Sequence, residues 1–408
     1  MTAERNIRYW LVLQLIFGQD SAYINEIADK FGTAGEFFAA GEEGWNTIES
    51  ILPMHLEQLA QPDFAAADRI IADCRRIGCR IVTPEDELYP EGLRHIYGMP
   101  AVLYVRGDLS CLKDHLAIAM VGTRNCSANA LQVADRMARE LAYQKVVIVS
   151  GMALGIDAAC HWGAINGGSK TVAFLSCGLD QIYPQENSAL WSRICANGAV
   201  VSEYPPGTEV TKHSFHHRNR LISGVSRGVV MVEGAAKSGT NITVTHGLEQ
   251  GKEIFVVPWN IDTGAGRWAV KLLREGAIAV SNASQILEEY GYTESSRLQE
   301  SEEERDEKRE RLRDAIKRVQ KKSGKAAGAA ERNTKAEEMP EPQPEPRAPL
   351  ELEEVHQRIY DALGEDTLTV ENLSRKLEMD AAELSMLLTE MEVLGAVTMN
   401  GEKQYQRL

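Results

Sequence analysis

Four short segments between residues 121 and 240 combine glycine, cationic or hydroxyl residues of the kinds that suit contact with phosphate. In the first, Val121–Arg124, Gly122 lets another backbone approach and Arg124 can pair with a phosphate, while Ser127 can cap the following helix. An ordinary strand-to-helix turn with a surface arginine would have the same residues, and the segment alone favours that interpretation.

The second segment, Ser150–Asp157, contains Gly151 and Gly155 and opens a helix that carries His161. Two glycines beside free N–H groups at a helix start can form a cradle for an anion. The glycine spacing differs from that of the dinucleotide-binding fingerprint. We expect His161 to be a packed or capping residue rather than a ligand.

The third segment runs from Lys212 to Arg220, within a stretch (210–232) that holds four Lys or Arg residues, three His residues and no acidic residue. Cations beside Phe215 suit a nucleic-acid groove, in which phosphates pair with the cations and a base stacks on the ring. A basic loop with Phe215 in the core is an equally good interpretation.

The fourth segment, Glu233–Thr240, resembles a phosphate loop. Its Lys237 precedes the second glycine, so the segment is not a Walker motif. Each of the four segments follows a short apolar run, which is where a strand would end.

Seven such apolar runs alternate with helical stretches between residues 81 and 290. This alternation predicts a doubly wound, mostly parallel α/β sheet, in which ligands bind beyond the carboxyl ends of the strands. The runs are Val102–Val105, Leu116–Val121, Val146–Val149, Thr171–Leu175, Ala199–Val201, Val229–Val232 and Ile254–Val257.

The flanking regions differ in character. Residues 1–80 predict a small helical domain, including a helix over Asp63–Gly78 that Gly78 ends. Residues 293–350, rich in charge, Pro and Glu, predict a linker. Residues 351–408 predict three helices and a hairpin, the pattern of a winged helix. Because this last region carries 5 basic and 13 acidic side chains, we expect it to bind protein or to regulate the cleft rather than to bind DNA.

The formal net charge of −15 counts against a protein that binds DNA over its whole surface. Residues 81–290 carry 18 basic and 20 acidic side chains, so a nucleic-acid site there must be a local patch. The seven cysteines show no CxxC pair and no zinc spacing, which favours reduced thiols. The apolar run Trp10–Phe17 is too short to span a bilayer. We therefore expect a cytoplasmic protein that uses no metal, cofactor or membrane.

Taken in order, the motifs of the central region resemble the DNA-processing protein A (DprA/Smf) family. They are VGTR at 121–124, SGMALGID at 150–157, GLDQIYPQEN at 178–187, SEYPPG at 202–207, RNRLISG at 218–224, VVMVEGAAKSGT at 229–240 and LEQGKEIFVVP at 248–258. The resemblance implies an extended Rossmann-like DNA-binding domain over 81–292, between a SAM-like helical domain at 1–80 and a winged helix at 351–408.

The same resemblance implies single-stranded DNA binding, and delivery of RecA recombinase onto DNA coated by single-strand-binding protein during natural transformation. It implies phosphate contacts for Arg124 and Lys170 and base stacking for Phe215. The other DNA-binding residues that it implies are Gly151, Gly155, Lys212, Arg218, Asn219, Arg220, Lys237, Ser238 and Gly239. It also implies a homodimer through the last part of the Rossmann-like domain, where Trp259, Trp268 and Leu272 are either interface or core residues.

The main alternative is an enzyme. The superfamily fold includes nucleotide phosphoribohydrolases, which have a Gly-Gly-x-Gly-Thr loop and a nearby catalytic Glu. Here Thr240 is followed by Asn241, and the obvious acid–base candidates are Asp157 and Glu233. We expect a binding protein and not an enzyme, with a phosphoribohydrolase-like enzyme or a nucleotide-binding module as alternatives.

Overall fold

The computed structural model describes residues 3–236, 238–291, 354–363 and 367–377, together with positions 379, 384, 387, 388, 391, 397–399 and 404–407. The chain divides into two compact units, Met1–Arg332 and Asn333–Leu408, and each is described by itself. The linker expected at 293–350 lies outside the described residues.

The first unit begins with six helices, which confirms the predicted helical character of this region. Trp10, Leu11 and Leu13 of the first helix are fully buried and form the centre of this part of the core, together with Ile27 and Phe37. The helices are α1 (Ala3–Phe17), α2 (Ala22–Phe31), α3 (Ala34–Ala39), α4 (Gly41–Trp45), α5 (Pro53–Ala60) and α6 (Phe64–Ile77).

The ends of α6 follow from local chemistry. Asp63 caps its start, because its carboxylate accepts the Ala66 N–H at 2.8 Å. Gly78 ends it with a left-handed φ of 66°, a conformation that glycine adopts without steric cost. The expected stop at Gly78 is therefore observed.

A nine-stranded sheet follows, in the order β1-β2-β6-β5-β4-β3-β7-β8-β9. The strands from β3 onward pair in parallel, and β1 and β2 are antiparallel additions at one edge. The predicted mostly parallel sheet is confirmed. The strands are β1 (Arg80–Val82), β2 (Leu103–Gly107), β3 (Ala117–Val121), β4 (Val147–Ser150), β5 (Thr171–Leu175), β6 (Ala199–Ser202), β7 (Gly228–Met231), β8 (Glu253–Val256) and β9 (Ile278–Ala279).

Helices cover both faces of the sheet. Ile118 and Met120 of β3 pack with one set of helices, and the alternate residues Ala119 and Val121 pack on the opposite side, as strand periodicity requires. The helices are α7 (Cys111–Asp114), α8 (Ala128–Tyr143), α9 (Ile156–Asn166), α10 (Ser188–Asn197), α11 (Lys212–Gly224), α12 (Gly239–Glu249), α13 (Gly264–Arg274) and α14 (Ala283–Glu288).

The apolar residues of α13 belong to the core. Trp268 is 3% exposed and Leu272 is fully buried, because the apolar side of this amphipathic helix faces β8. Trp259 is half-buried, and its indole N–H donates to the Val232 carbonyl. Of the two interpretations of Trp268 and Leu272, the structure therefore supports core residues, while the dimer itself remains a prediction.

The second unit has winged-helix elements around its own small core, as predicted. Ile359, Leu373 and Leu388 are fully buried in that core. The expected turn at Asn400-Gly401 lies outside the described residues, between two strands that pair antiparallel. The elements are α15 (Glu354–Leu363), β10 (Leu368–Thr369), α16 (Val370–Leu377), β11 (Val397–Met399) and β12 (Gln404–Arg407).

Across the described parts of both units, every helix is too short or too polar to cross a bilayer.

Candidate nucleic-acid interface

The candidate site lies where the strand order reverses. The chain builds the sheet from β3 through β4 and β5 to β6 on one side, and then returns to β7 on the other side of β3. The loops that leave β3 and β7 part at this point and create a crevice at the carboxyl ends of the strands. The Thr123 N–H donates to the Glu233 carbonyl at 2.8 Å and ties the bases of these two loops together.

Two glycines let protein segments approach each other closely beside this crevice. Gly155 has a φ of 80°, and a Cβ atom there would lie 2.6 Å from the Arg124 carbonyl oxygen. A Cβ atom on Gly151 would lie 2.4 Å from Nη1 of Arg218. Both glycines were expected to admit a DNA backbone, whereas the neighbours that the structure gives them are protein atoms. Their packing fixes the backbone from which Arg124 projects.

Phe215, near the start of α11, lines the cleft. The guanidinium carbon of Arg124 is 4.9 Å from the centre of the Phe215 ring, and the Tyr183 ring centre is 5.9 Å away. Phe215 is half-buried, Arg124 is exposed, and Tyr183 is 40% exposed. Phe215 is thus a wall residue and not a core residue. The cleft is lined by Arg124, Gly151, Ala153, Leu154, Leu175, Ser176, Tyr183, Pro184, Phe215 and Arg218.

Arg218 forms the floor of the cleft and is held rigidly. It donates to the Gly151 carbonyl at 2.8 Å, to the Phe174 carbonyl and to Oδ1 of Asn219 at 3.0 Å. Burial lowers the pKa of Arg218 to about 10, and the nearby Asp157 carboxylate opposes this shift. The guanidinium therefore stays charged at neutral pH and gives the cleft a fixed positive charge.

The two candidate catalytic carboxylates hold the loops in place. Asp157 is buried and accepts the Gly151 N–H at 3.2 Å; burial raises the pKa of Asp157, and Arg218 opposes that shift. Glu233 accepts the Ser127 N–H at 2.8 Å, at the start of α8. Both carboxylates therefore have structural partners in this arrangement.

His161 is fully buried beneath the loop that follows β4. Its Nδ1 lies 2.6 Å from the hydroxyl oxygen of Thr171, which itself donates to the Ile148 carbonyl. Because that hydroxyl hydrogen is used, Nδ1 must carry the proton that bonds to Thr171. Burial lowers the pKa of His161 to about 3, so it is a neutral packed residue, as expected.

The start of α12 adjoins the cleft floor through Asn219. The Asn219 side chain donates to the Gly239 carbonyl at 3.4 Å, and Ser238 is the residue that precedes the helix. Gly239 is exposed, with open space where a Cβ atom would stand. Lys237 and the side chain of Lys212 lie outside the described residues.

Arg220 is directed away from the cleft, contrary to its expected role as a DNA contact. It is 2% exposed, and its Nη2 donates to both carboxylate oxygens of Glu203 at 2.8 Å. Its Nε donates to Asp20 of the helical domain at 3.0 Å. We therefore expect a structural role for Arg220, because its guanidinium is almost fully buried and bonds to two carboxylates.

Lys170 also lies apart from the other predicted residues. It immediately precedes β5, whereas the cleft forms at the carboxyl ends of the parallel strands. Its charge acts on Asp108 and Cys111, at the opposite edge of the sheet. The exposed Lys170 side chain therefore cannot join Arg124 at one phosphate.

Tyr183 is a cleft residue that sequence reasoning did not select. Its ring lines the cleft beside Phe215. The signal was available in the segment GLDQIYPQEN, where an aromatic residue stands in a loop that follows the carboxyl end of β5.

Comparison with known proteins places this geometry in a family. The family model for DNA recombination-mediator protein A matches residues 80–291, and that for the DprA winged helix domain matches residues 343–400. DNA processing protein DprA of Bacillus subtilis is 38% identical over 243 residues, which are 60% of this chain and 82% of that protein. DprA of Streptococcus pneumoniae is 37% identical over 207 residues, or 51% of this chain and 73% of that protein.

The structural comparison agrees. The X-ray structure of DprA from Streptococcus pneumoniae superposes with a TM-score of 0.57 at 30% identity, covering 68% of this chain and 97% of that chain. The family model covers more than half of the sequence, including the whole sheet with its cleft. The chain therefore belongs to the DNA processing protein A (DprA/Smf) family.

Proposed function

We propose that this protein binds single-stranded DNA in the cleft at the carboxyl edge of the sheet. The observation that carries the proposal is the position of the Arg124 guanidinium over the Phe215 ring, with the partly exposed Tyr183 ring beside it. Proteins that bind single strands combine cations for the backbone with aromatic faces for unpaired bases. A duplex keeps its base faces inside the stack, so we expect weaker binding of duplex DNA.

The cleft residues have different expected roles in DNA binding, according to how exposed and how firmly fixed each side chain is. Arg124 is exposed in the loop between β3 and α8 and is the side chain that would pair with a phosphate. Phe215 and Tyr183 offer the stacking surface. Arg218 is fixed by three hydrogen bonds beneath them and adds positive charge without moving.

The local charge supports the proposal despite the acidic chain. The carboxylates of Asp157 and Glu233 accept hydrogen bonds from loop N–H groups of Gly151 and Ser127. No acidic residue occurs from 210 to 232, the stretch that contains α11. We expect the attraction between this patch and DNA to be stronger at low ionic strength. At 0.1 M salt, interactions between exposed charges farther apart than about 10 Å are screened, and less salt screens them less.

Family membership supports a more specific role. We propose that the protein protects incoming single-stranded DNA, loads RecA recombinase onto it where single-strand-binding protein coats it, and acts in natural transformation as a cytoplasmic homodimer. We also propose that it acts by binding and not by catalysis. The structural hydrogen bonds of Asp157 and Glu233 support that last point.

The test is a titration of labelled single-stranded and blunt duplex oligonucleotides by fluorescence anisotropy over a range of salt. Arg124→Ala should lower the slope of log affinity against log salt by about 0.7, the value for one lost single-strand phosphate contact. Phe215→Ala should weaken binding by about 1–3 kcal/mol, the loss expected for one stacked base.

Lys170→Ala is the matched control, because it removes the same charge from the opposite edge of the sheet. It should leave both the affinity and the salt slope unchanged. Equal affinity for the two forms of DNA, or equal effects of Arg124→Ala and Lys170→Ala, would contradict the proposed site.

A further inference from the structure

Two cysteines meet where the helical domain joins the sheet. Cys74 lies in the last turn of α6, and Cys79 stands between the Gly78 cap and β1. The Cys79 N–H donates to the Cys74 carbonyl at 2.8 Å, and the Gly78 N–H donates to the Arg75 carbonyl at 3.2 Å. This pair of hydrogen bonds is a Schellman motif, which brings the side chains of its first and last residues into contact.

The two thiols differ in how readily they ionise. The hydrogen bond from the Cys74 thiol lowers the pKa of Cys79, with help from the Val105 N–H and the Arg106 guanidinium and against the effect of burial. The same contact, together with burial, raises the pKa of Cys74. Cys79 is thus the sulfur that ionises first, and Cys74 keeps its proton.

A surface groove leads to this pair. Both cysteines line it, beside Ile7, Arg8 and Arg80, and the two arginines are exposed along its sides. The groove lies between α1, α6 and β1, away from the DNA cleft. Cys79 keeps 8% of its surface exposed and Cys74 keeps 1%. A small neutral oxidant would therefore meet Cys79 first.

We propose that Cys74 and Cys79 form a redox modification site, which a hydroperoxide converts reversibly into an intramolecular disulfide. The Cys79 thiolate attacks hydrogen peroxide, the O–O bond breaks, and the products are a Cys79 sulfenic acid and a hydroxide, which becomes water by taking up the proton that the Cys79 thiol released. The Cys74 sulfur then displaces the sulfenic hydroxyl as a second water. Two thiols lose two protons and two electrons in all, and one peroxide is reduced to two waters.

The hydrogen-bonded turn makes this bond geometrically reasonable, because a disulfide needs its two backbones close together. The bond would link the end of α6 to the start of β1, the edge strand that pairs with β2. It would therefore fix the junction between the helical domain and the sheet. A cross-link of this kind restrains the unfolded chain, so the helical domain should unfold at a higher temperature after oxidation.

The experiment uses the full-length protein, treated with graded hydrogen peroxide, alkylated with iodoacetamide and digested with trypsin without reductant. Trypsin cuts after Arg75 and Arg76, so the peptides that hold Cys74 and Cys79 stay joined only through a disulfide. The joined peptides should accumulate before Cys126 or Cys195 is oxidised, although these two are more exposed. Dithiothreitol should separate them.

Two variants distinguish disulfide formation between Cys74 and Cys79 from unspecific oxidation of cysteines. Cys74→Ser should abolish the joined peptides, leave Cys79 to proceed to sulfinic acid, and remove the rise in unfolding temperature. Cys195→Ser, the matched control on α10, should change none of these results. Oxidation of Cys126 or Cys195 ahead of the pair, or free alkylation of Cys79 after peroxide treatment of the wild-type protein, would overturn the proposal without reference to any variant.

Discussion

Replacing Arg220 by alanine separates a role in the fold from a role in DNA binding. The guanidinium of Arg220 is 2% exposed and bonds to both oxygens of Glu203, which is also 2% exposed. A third hydrogen bond reaches Asp20 of the helical domain. Arg220→Ala therefore leaves a buried carboxylate without its principal partner and removes one link between the helical domain and the sheet.

The expected loss follows from that burial. Removing one partner of a buried ion pair costs about 3–5 kcal/mol, because the remaining charge stays buried without compensation. A domain is stable by only about 5–15 kcal/mol, so the loss is a large part of the whole. Urea unfolding followed by circular dichroism at pH 7 should show a much lower midpoint for Arg220→Ala.

The pH dependence gives a second measure. Burial raises the pKa of Glu203, and Arg220 opposes that shift in the wild-type protein. Without Arg220 the folded pKa rises further above the unfolded value, so the native state binds more protons and its stability falls as pH rises through that interval. The destabilisation should therefore be greatest at neutral pH and smaller near pH 4–5, close to the ordinary pKa of about 4.3 for Glu. Glu203→Gln in the Arg220→Ala background should restore part of the lost stability.

The control is Arg193→Ala, which removes an exposed arginine from α10 and should leave the urea midpoint nearly unchanged. The structural assignment is refuted if Arg220→Ala keeps the wild-type midpoint. It is refuted with more force if the same variant also lowers the salt slope of DNA binding, since that result belongs to a phosphate contact.

Two further predictions concern regions outside the cleft. Trp268→Glu should unfold the protein and not merely separate protomers, because it puts a carboxylate at a position that is 3% exposed. Circular dichroism reports unfolding and light scattering reports dissociation. A folded monomer would contradict the assignment of Trp268 to the core. A chain truncated after residue 292 should keep or improve its affinity for single-stranded DNA, because residues 351–408 carry 13 acidic and 5 basic side chains; loss of binding in the anisotropy titration would show that the charge argument is wrong.

Much of the fold could be predicted because strands buried on both faces leave near-continuous apolar runs in the sequence. The runs from Leu116 to Val121 and from Thr171 to Leu175 correspond to β3 and β5 within a residue. β1 and β9 were missed, because three and two residues are too few to show a period. The antiparallel pairing of β2 was also missed, since an apolar run does not reveal its direction.

The site was predicted in part for a related reason. The order of the motifs predicted that Arg124 and Phe215 belong to one DNA site, and the two side chains are in contact in the structure. Lys170 was predicted to belong with them, but it lies just before β5. Only residues that follow the carboxyl ends of the parallel strands come together at the cleft. Tyr183 lies in a loop after β5, where sequence patterns carry little information about which side chains line a cleft.

Arg218 lines the cleft and Arg220 does not because of the geometry of α11. Each residue of a helix is turned about 100° from the one before, so Phe215 and Arg218 share one side while His217 and Arg220 share the other. The first pair forms the cleft, and the second pair bonds to Asp20 of the helical domain, at 3.2 Å from His217 and 3.0 Å from Arg220. Since α11 is rigid over this length, the contacts that anchor its far side also set the position of the Phe215 ring. The helical domain thus helps to hold the stacking surface in position.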